Sequence, residues 1–73
     1  MDHSTDKRLK KILELWHADP HLTQRNAALR MNMSQSAVCQ YLNNKIPLNL
    51  PIIIKFAKLF NTSPVEIDSS LKF

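Results

Sequence analysis

From Asp6 onward the apolar residues Leu9, Ile12, Leu13 and Trp16 fall at i, i+3, i+4 and i+7, which is one stripe on a helix. This predicts a first helix near residues 6–18, stopped by Pro20, with residues 1–5 as a flexible arm before it. Ala27, Ala28 and Met31 back a second helix of about two turns near 24–31, for which the Thr23 hydroxyl is a cap. Asn32 follows it. In a chain with no glycine, asparagine is the next best residue for the positive φ that one helix followed at once by another requires. Ser34 then caps a third helix near 35–43, with Ala37, Val38, Tyr41 and Leu42 inward and Gln35, Ser36, Cys39 and Gln40 on the other side.

After a connection containing Pro47, Asn49 caps a fourth helix near 50–60, whose early Pro51 is tolerated because first-turn N–H groups lack helical partners. Ile53, Phe56, Ala57 and Phe60 form its stripe, widened by Ile52 and Leu59, so it should be the central packing element. Ser63-Pro64-Val65-Glu66 reads as a capping box that opens a last short helix near 64–69 and presses Val65 or Ile67 inward. The pattern contains no repeat and no second-domain linker, so residues 6–73 make one all-α domain of five helices.

Composition narrows the picture further. A chain of 73 residues buries only about 60% of the surface that its unfolded form exposes, so the core must be tight. With no glycine and four prolines, a hairpin-rich β fold is disfavoured. No apolar run reaches the roughly 18 residues of a membrane span, and the amino terminus does not read as a signal peptide, so a cytoplasmic location is expected. The net charge of +4 suits an anionic partner, and Lys7, Arg8, Lys10, Lys11, Arg25, Arg30 and Lys45 lie in and around the first three helices. Cys39 is the single cysteine, which leaves no internal disulfide. His17 and His21 stand four apart but are separated by Pro20 and have no third ligand at suitable spacing, so no metal or cofactor is expected. Cys39 has no local base beside it, so neither is an enzyme. Trp16, Met31 and Met33 are read as core filling, not as the wall of a small-molecule cavity.

The uncharged, hydrogen-bonding outer face of the third helix suits a surface that reads base edges. The residues Leu22-Thr23-Gln24, Ala28, Met31-Asn32-Met33, Gln35-Ser36, Val38 and Asn43-Asn44 resemble the lambda-repressor and Cro family of helix-turn-helix domains. So do Leu48-Asn49, Ala57-Lys58-Leu59, Ser63 and Glu66, and the resemblance runs without a gap over about positions 6–71. It implies a helix-turn-helix at the second and third helices, a sequence-specific transcriptional repressor of the phage or prophage Cro type or a repressor's DNA-binding domain, and double-stranded operator DNA as the partner. Gln35, Ser36, Cys39 and Gln40 take the base-reading positions. Lys10, Gln24, Arg25, Asn43, Asn44, Lys45 and Asn49 take the backbone positions, with Gln24 also bracing Gln35.

Some positions depart from the family pattern. Ser34, Ala37 and Cys39 replace small residues for which the lambda repressor uses glycine, Gln40 replaces an alanine, and Ile46 replaces a base-contacting asparagine. The operator of the relative therefore does not carry over to this chain. The family implies a homodimer on DNA, and this chain is expected to be a weak dimer or monomer when free, pairing through the Ile46–Leu48 loop with Leu71 and Phe73. Because no further helix or cleavable domain follows Phe73, a Cro-type protein is preferred over a full repressor. The alternatives are an antitoxin-like module that binds DNA and a protein partner, and a helical bundle that binds protein alone.

Overall fold

All five helices open on a residue whose side-chain oxygen accepts one of the N–H groups left without a helical partner in the first turn. The computed structural model describes residues 6–71. Its helices are α1 (Lys7–His17), α2 (Gln24–Met31), α3 (Gln35–Leu42), α4 (Leu50–Leu59) and α5 (Pro64–Ile67), with no strand among the described residues. Asp6 accepts from the Arg8 N–H at 2.8 Å, Thr23 from Asn26 at 3.1 Å, Ser34 from Ala37 at 3.1 Å and Asn49 from Ile52 at 3.0 Å. The Ser63 hydroxyl accepts from Val65 at 3.4 Å, one position short of Glu66, so the expected capping box is replaced by a simple hydroxyl cap.

Three of the helices, α2, α3 and α4, stop by a shared device. Asn32, Asn44 and Asn61 have φ of 56°, 57° and 57°, the left-handed region that glycine usually fills. At each, the asparagine N–H reaches a carbonyl near the helix end, Leu29, Tyr41 and Lys58 in turn. The next residue's N–H reaches one residue further back, Met33 to Ala28 at 3.0 Å, Lys45 to Gln40 at 2.9 Å and Thr62 to Ala57 at 2.9 Å. Two carbonyls near each of these helix ends are thus satisfied by the chain that leaves the helix. Periodicity foresaw this at Asn32 alone.

Four helices are shorter than their stripes suggested. The outermost residues expected in α1, Asp6 and Ala18, are its caps, and Asn43 and Phe60 are the caps closing α3 and α4. α5 ends at Ile67 because Asp68 is extended, with φ −128° and ψ 97°, and its carboxylate accepts from the Ser70 N–H at 3.0 Å and hydroxyl at 2.6 Å.

The core is apolar throughout, and no polar or charged side chain is buried among the described residues. α4 supplies Ile52, Ile53, Phe56 and Ala57 to it, more than any other helix, and Ile12 of α1, Val38 of α3 and Ile67 of α5 meet them. Phe56 stacks on Phe60 with centroids 6.1 Å apart, and Trp16 meets Phe60 edge-on at 6.4 Å, which joins α1 to the end of α4. Leu48 is buried in this core and Leu71 packs against it. Both were expected on a pairing surface. The short chain instead uses its loop and tail leucines to enlarge a small core, and Phe73 lies outside the described residues, as does the expected arm at 1–5.

Candidate nucleic-acid interface

α2 and α3 pack chiefly on each other, joined by Asn32, Met33 and Ser34. Met31 is buried and Met33 is held against the core, so this turn is anchored on both sides of its left-handed residue. The Ser34 cap and the buried Val38 set which side of α3 faces in, and Ala37, Tyr41 and Leu42 are half-buried beside it.

Gln35, Ser36 and Gln40 are exposed on the outer side of α3. Gln35 and Ser36 are its first two residues, so their side chains stand at the end of the helix that a groove would admit first. A glutamine amide there can bond N6 and N7 of adenine at once, and a serine hydroxyl serves several bases. Cys39 sits lower. It is half-buried, and its Sγ lies 3.1 Å from the Asn43 amide nitrogen, which also donates to the Cys39 carbonyl at 2.8 Å.

The residues assigned to the DNA backbone occupy three places. Lys10 is exposed on α1, while Arg25 is exposed and Gln24 half-buried in the first turn of α2. Asn43, Asn44 and Lys45 are exposed where α3 stops and the chain turns, and Asn49 is the exposed cap of α4. The Asn43 amide is folded back on α3, so a phosphate would have to draw it off Cys39. Asn49 holds its Oδ1 on the Ile52 N–H, so a phosphate contact from it would use the amide nitrogen. Arg8, counted with the basic cluster from its sequence position, is instead bound by two carboxylates, those of Asp6 at 2.7 Å and Asp68 at 3.8 Å. Its charge is therefore offset within the protein.

A helix-turn-helix family model matches residues 20–67, more than half of the chain and all of α2 to α5. The protein belongs to that family, in its lambda-repressor and Cro type, and is a DNA-binding transcriptional regulator. No curated protein and no solved structure matches the chain. No helix among the described residues is long and apolar enough to cross a membrane.

Proposed function

We propose that this protein is a sequence-specific repressor, either a phage or prophage Cro-type protein or a repressor's DNA-binding domain, that occupies operator DNA as a homodimer. The observation that carries the reading is the outer face of α3, where Gln35, Ser36 and Gln40 stand exposed, uncharged and rich in donors and acceptors. On this reading α3 enters the major groove, α2 crosses the phosphate backbone, and Gln24 both contacts phosphate and braces Gln35. Lys10, Arg25, Asn44, Lys45 and Asn49 supply the backbone contacts that set register, and Gln40 gives the base-reading set a contact that the lambda repressor lacks. Repression follows from occlusion of promoter DNA.

The antitoxin-like alternative needs an apolar surface for a protein partner. Leu29 and Leu50 are the large hydrophobics left exposed among the described residues, and two leucines fall short of the few hundred Å² of a docking patch. The deciding experiment selects bound duplexes from a randomised DNA library and compares affinity for the enriched and shuffled sequences by gel shift. Enrichment of one motif, bound far more tightly than its shuffled form, is expected. Equal affinity for both would reduce the protein to a nonspecific binder.

A further inference from the structure

The Lys55 ammonium lies 2.8 Å from the backbone carbonyl oxygen of Met31. This bond spans 24 positions, whereas the caps and turns described above span two to five, and it ties α4 to the last residue of α2. Met31 ends the helix immediately before the turn of the helix-turn-helix. The bonds around Asn32 satisfy the carbonyls of Ala28 and Leu29, and the one at Met31 is met from α4 by a cation. A positive charge at a helix carboxy-terminus is favoured by the helix dipole, and a charged donor makes the stronger kind of hydrogen bond.

We infer that Lys55 is a positioning residue for base readout, a role that rests on the reading of α3 proposed above. α3 is held chiefly by α2 and contributes one wholly buried side chain, Val38, so its direction depends on the turn that joins the two. Gln35 stands four positions beyond Met31, and a rotation of the α2 terminus moves it directly. Lys55 fixes that terminus against α4, whose neighbouring Ile53 and Phe56 are fully buried and give it a rigid base. Because the Lys55 head group is turned onto Met31, its removal leaves the phosphate contacts of the other basic residues in place.

The test uses the full chain carrying Lys55→Met, which keeps the stem and removes the donor, Lys55→Arg, which restores one, and Gln35→Ala as reference. Affinities for the enriched and shuffled duplexes are measured at a temperature where circular dichroism shows each variant folded. If the methionine variant never reaches that state, Lys55→Gln is read in its place. Lys55→Met is expected to bind the enriched duplex about tenfold more weakly, the effect of one charge-assisted hydrogen bond, with affinity for the shuffled duplex and the salt dependence unchanged. Amide resonances of Asn32, Met33 and Gln35 should shift, and Lys55→Arg should recover most of the preference. Unchanged affinity, equal loss on both duplexes, or an arginine variant no better than methionine would overturn the positioning role. If Gln35→Ala abolishes the preference while Lys55→Met does not, Lys55 alone is refuted. If Gln35→Ala has no effect on the preference, the reading of α3 fails and takes the positioning role with it.

Discussion

Arg8 Nη1 and Asp68 Oδ2 stand 3.8 Å apart, tying the first turn of α1 to the residue that ends α5. Asp6 completes the group, held by the Arg8 guanidinium through Nε and Nη2. That side-chain bond keeps the Asp6 carboxyl below its usual range. Asp68 is also lowered, first by the Ser70 hydroxyl and N–H and less by Arg8.

A carboxylate lowered on folding binds fewer protons in the native state than in the unfolded one. Its contribution to stability is therefore complete above the unfolded value, near pH 4, and is lost as pH falls through the folded one. Urea midpoints measured from pH 6 down to pH 2 should fall below about pH 4, and Arg8→Met should flatten the part due to Asp6. Ser70→Ala should flatten the part due to Asp68. An acid slope identical in all three proteins would place these groups outside the stability of the fold.

The three left-handed asparagines give the second prediction. Alanine at position 32, 44 or 61 would keep the Cβ that the left-handed region disfavours but lose the short polar side chain that lets asparagine tolerate it, and each change should destabilise by about 1 kcal/mol, or roughly 5 °C in melting temperature for a domain of this size. Glycine at the same positions removes that conflict, and the melting temperature should hold or rise. Thermal melts of the six single variants check this. Glycine and alanine variants destabilised equally against the native protein would show that the asparagine side chain, not the backbone, governs the turn.

These asparagines also mark how far the chain is legible in advance. Five helices and their order are legible because stripes such as Leu9, Ile12 and Trp16 repeat at a local spacing and because Thr, Ser and Asn caps punctuate four of them. The outer face of α3 is legible for the same reason. Asn44 and Asn61 were missed, although each follows a helical run in a glycine-free chain and so carries the same signal as Asn32. The burial of Leu48, the packing of Leu71 and the Lys55–Met31 bond are not legible, because each joins segments far apart in sequence and periodicity carries no information about such partners.

Base readout by Gln35 is tested by its truncation. Gln35→Ala removes an exposed side chain from the first turn of α3, so the fold should be unaffected within about 0.5 kcal/mol, while binding to the enriched duplex should weaken by about 1–3 kcal/mol. Shuffled DNA should be bound almost as before. Titrations of both duplexes by fluorescence anisotropy measure the two effects, and equal losses would remove Gln35 from the base-reading set.

Lys10 and Lys45 are both exposed, one on α1 and one after α3, and their proposed partners are phosphates. Neutralising either should weaken binding to every sequence and lower the slope of log affinity against log salt by about one for each phosphate left unneutralised. Affinities between 50 and 200 mM salt, a range of roughly the right span for such slopes, would show it. An unchanged slope in the Lys10→Gln or Lys45→Gln protein would move that lysine off the DNA.

The proposed dimer rests on what one reading head can achieve. A single module of this size contacts a few base pairs, too little to single out one site among a genome of competitors, so two heads on a roughly palindromic site are required. Two-fold symmetry places the recognition helices about 34 Å apart, and the enriched motif should accordingly contain two half-sites about 10 base pairs apart. The pairing surface expected at Leu48 and Leu71 is largely withdrawn, since the first is buried and the second packs on the core. Around it, Pro47, Leu50 and Pro51 remain exposed, with Leu50 at 44% and Ile46 half-buried. Among the described residues that surface is small against the roughly 1,200 Å² of a stable interface. The free protein should therefore sediment as a monomer at micromolar concentration and assemble cooperatively as two chains on the two-half-site duplex. Leu50→Glu should abolish the cooperativity by setting like charges against each other across the axis, while affinity for an isolated half-site falls only by the effect of one added negative charge. One chain per duplex at saturation would end the dimer model, and a tight dimer without DNA would end its weak-interface half.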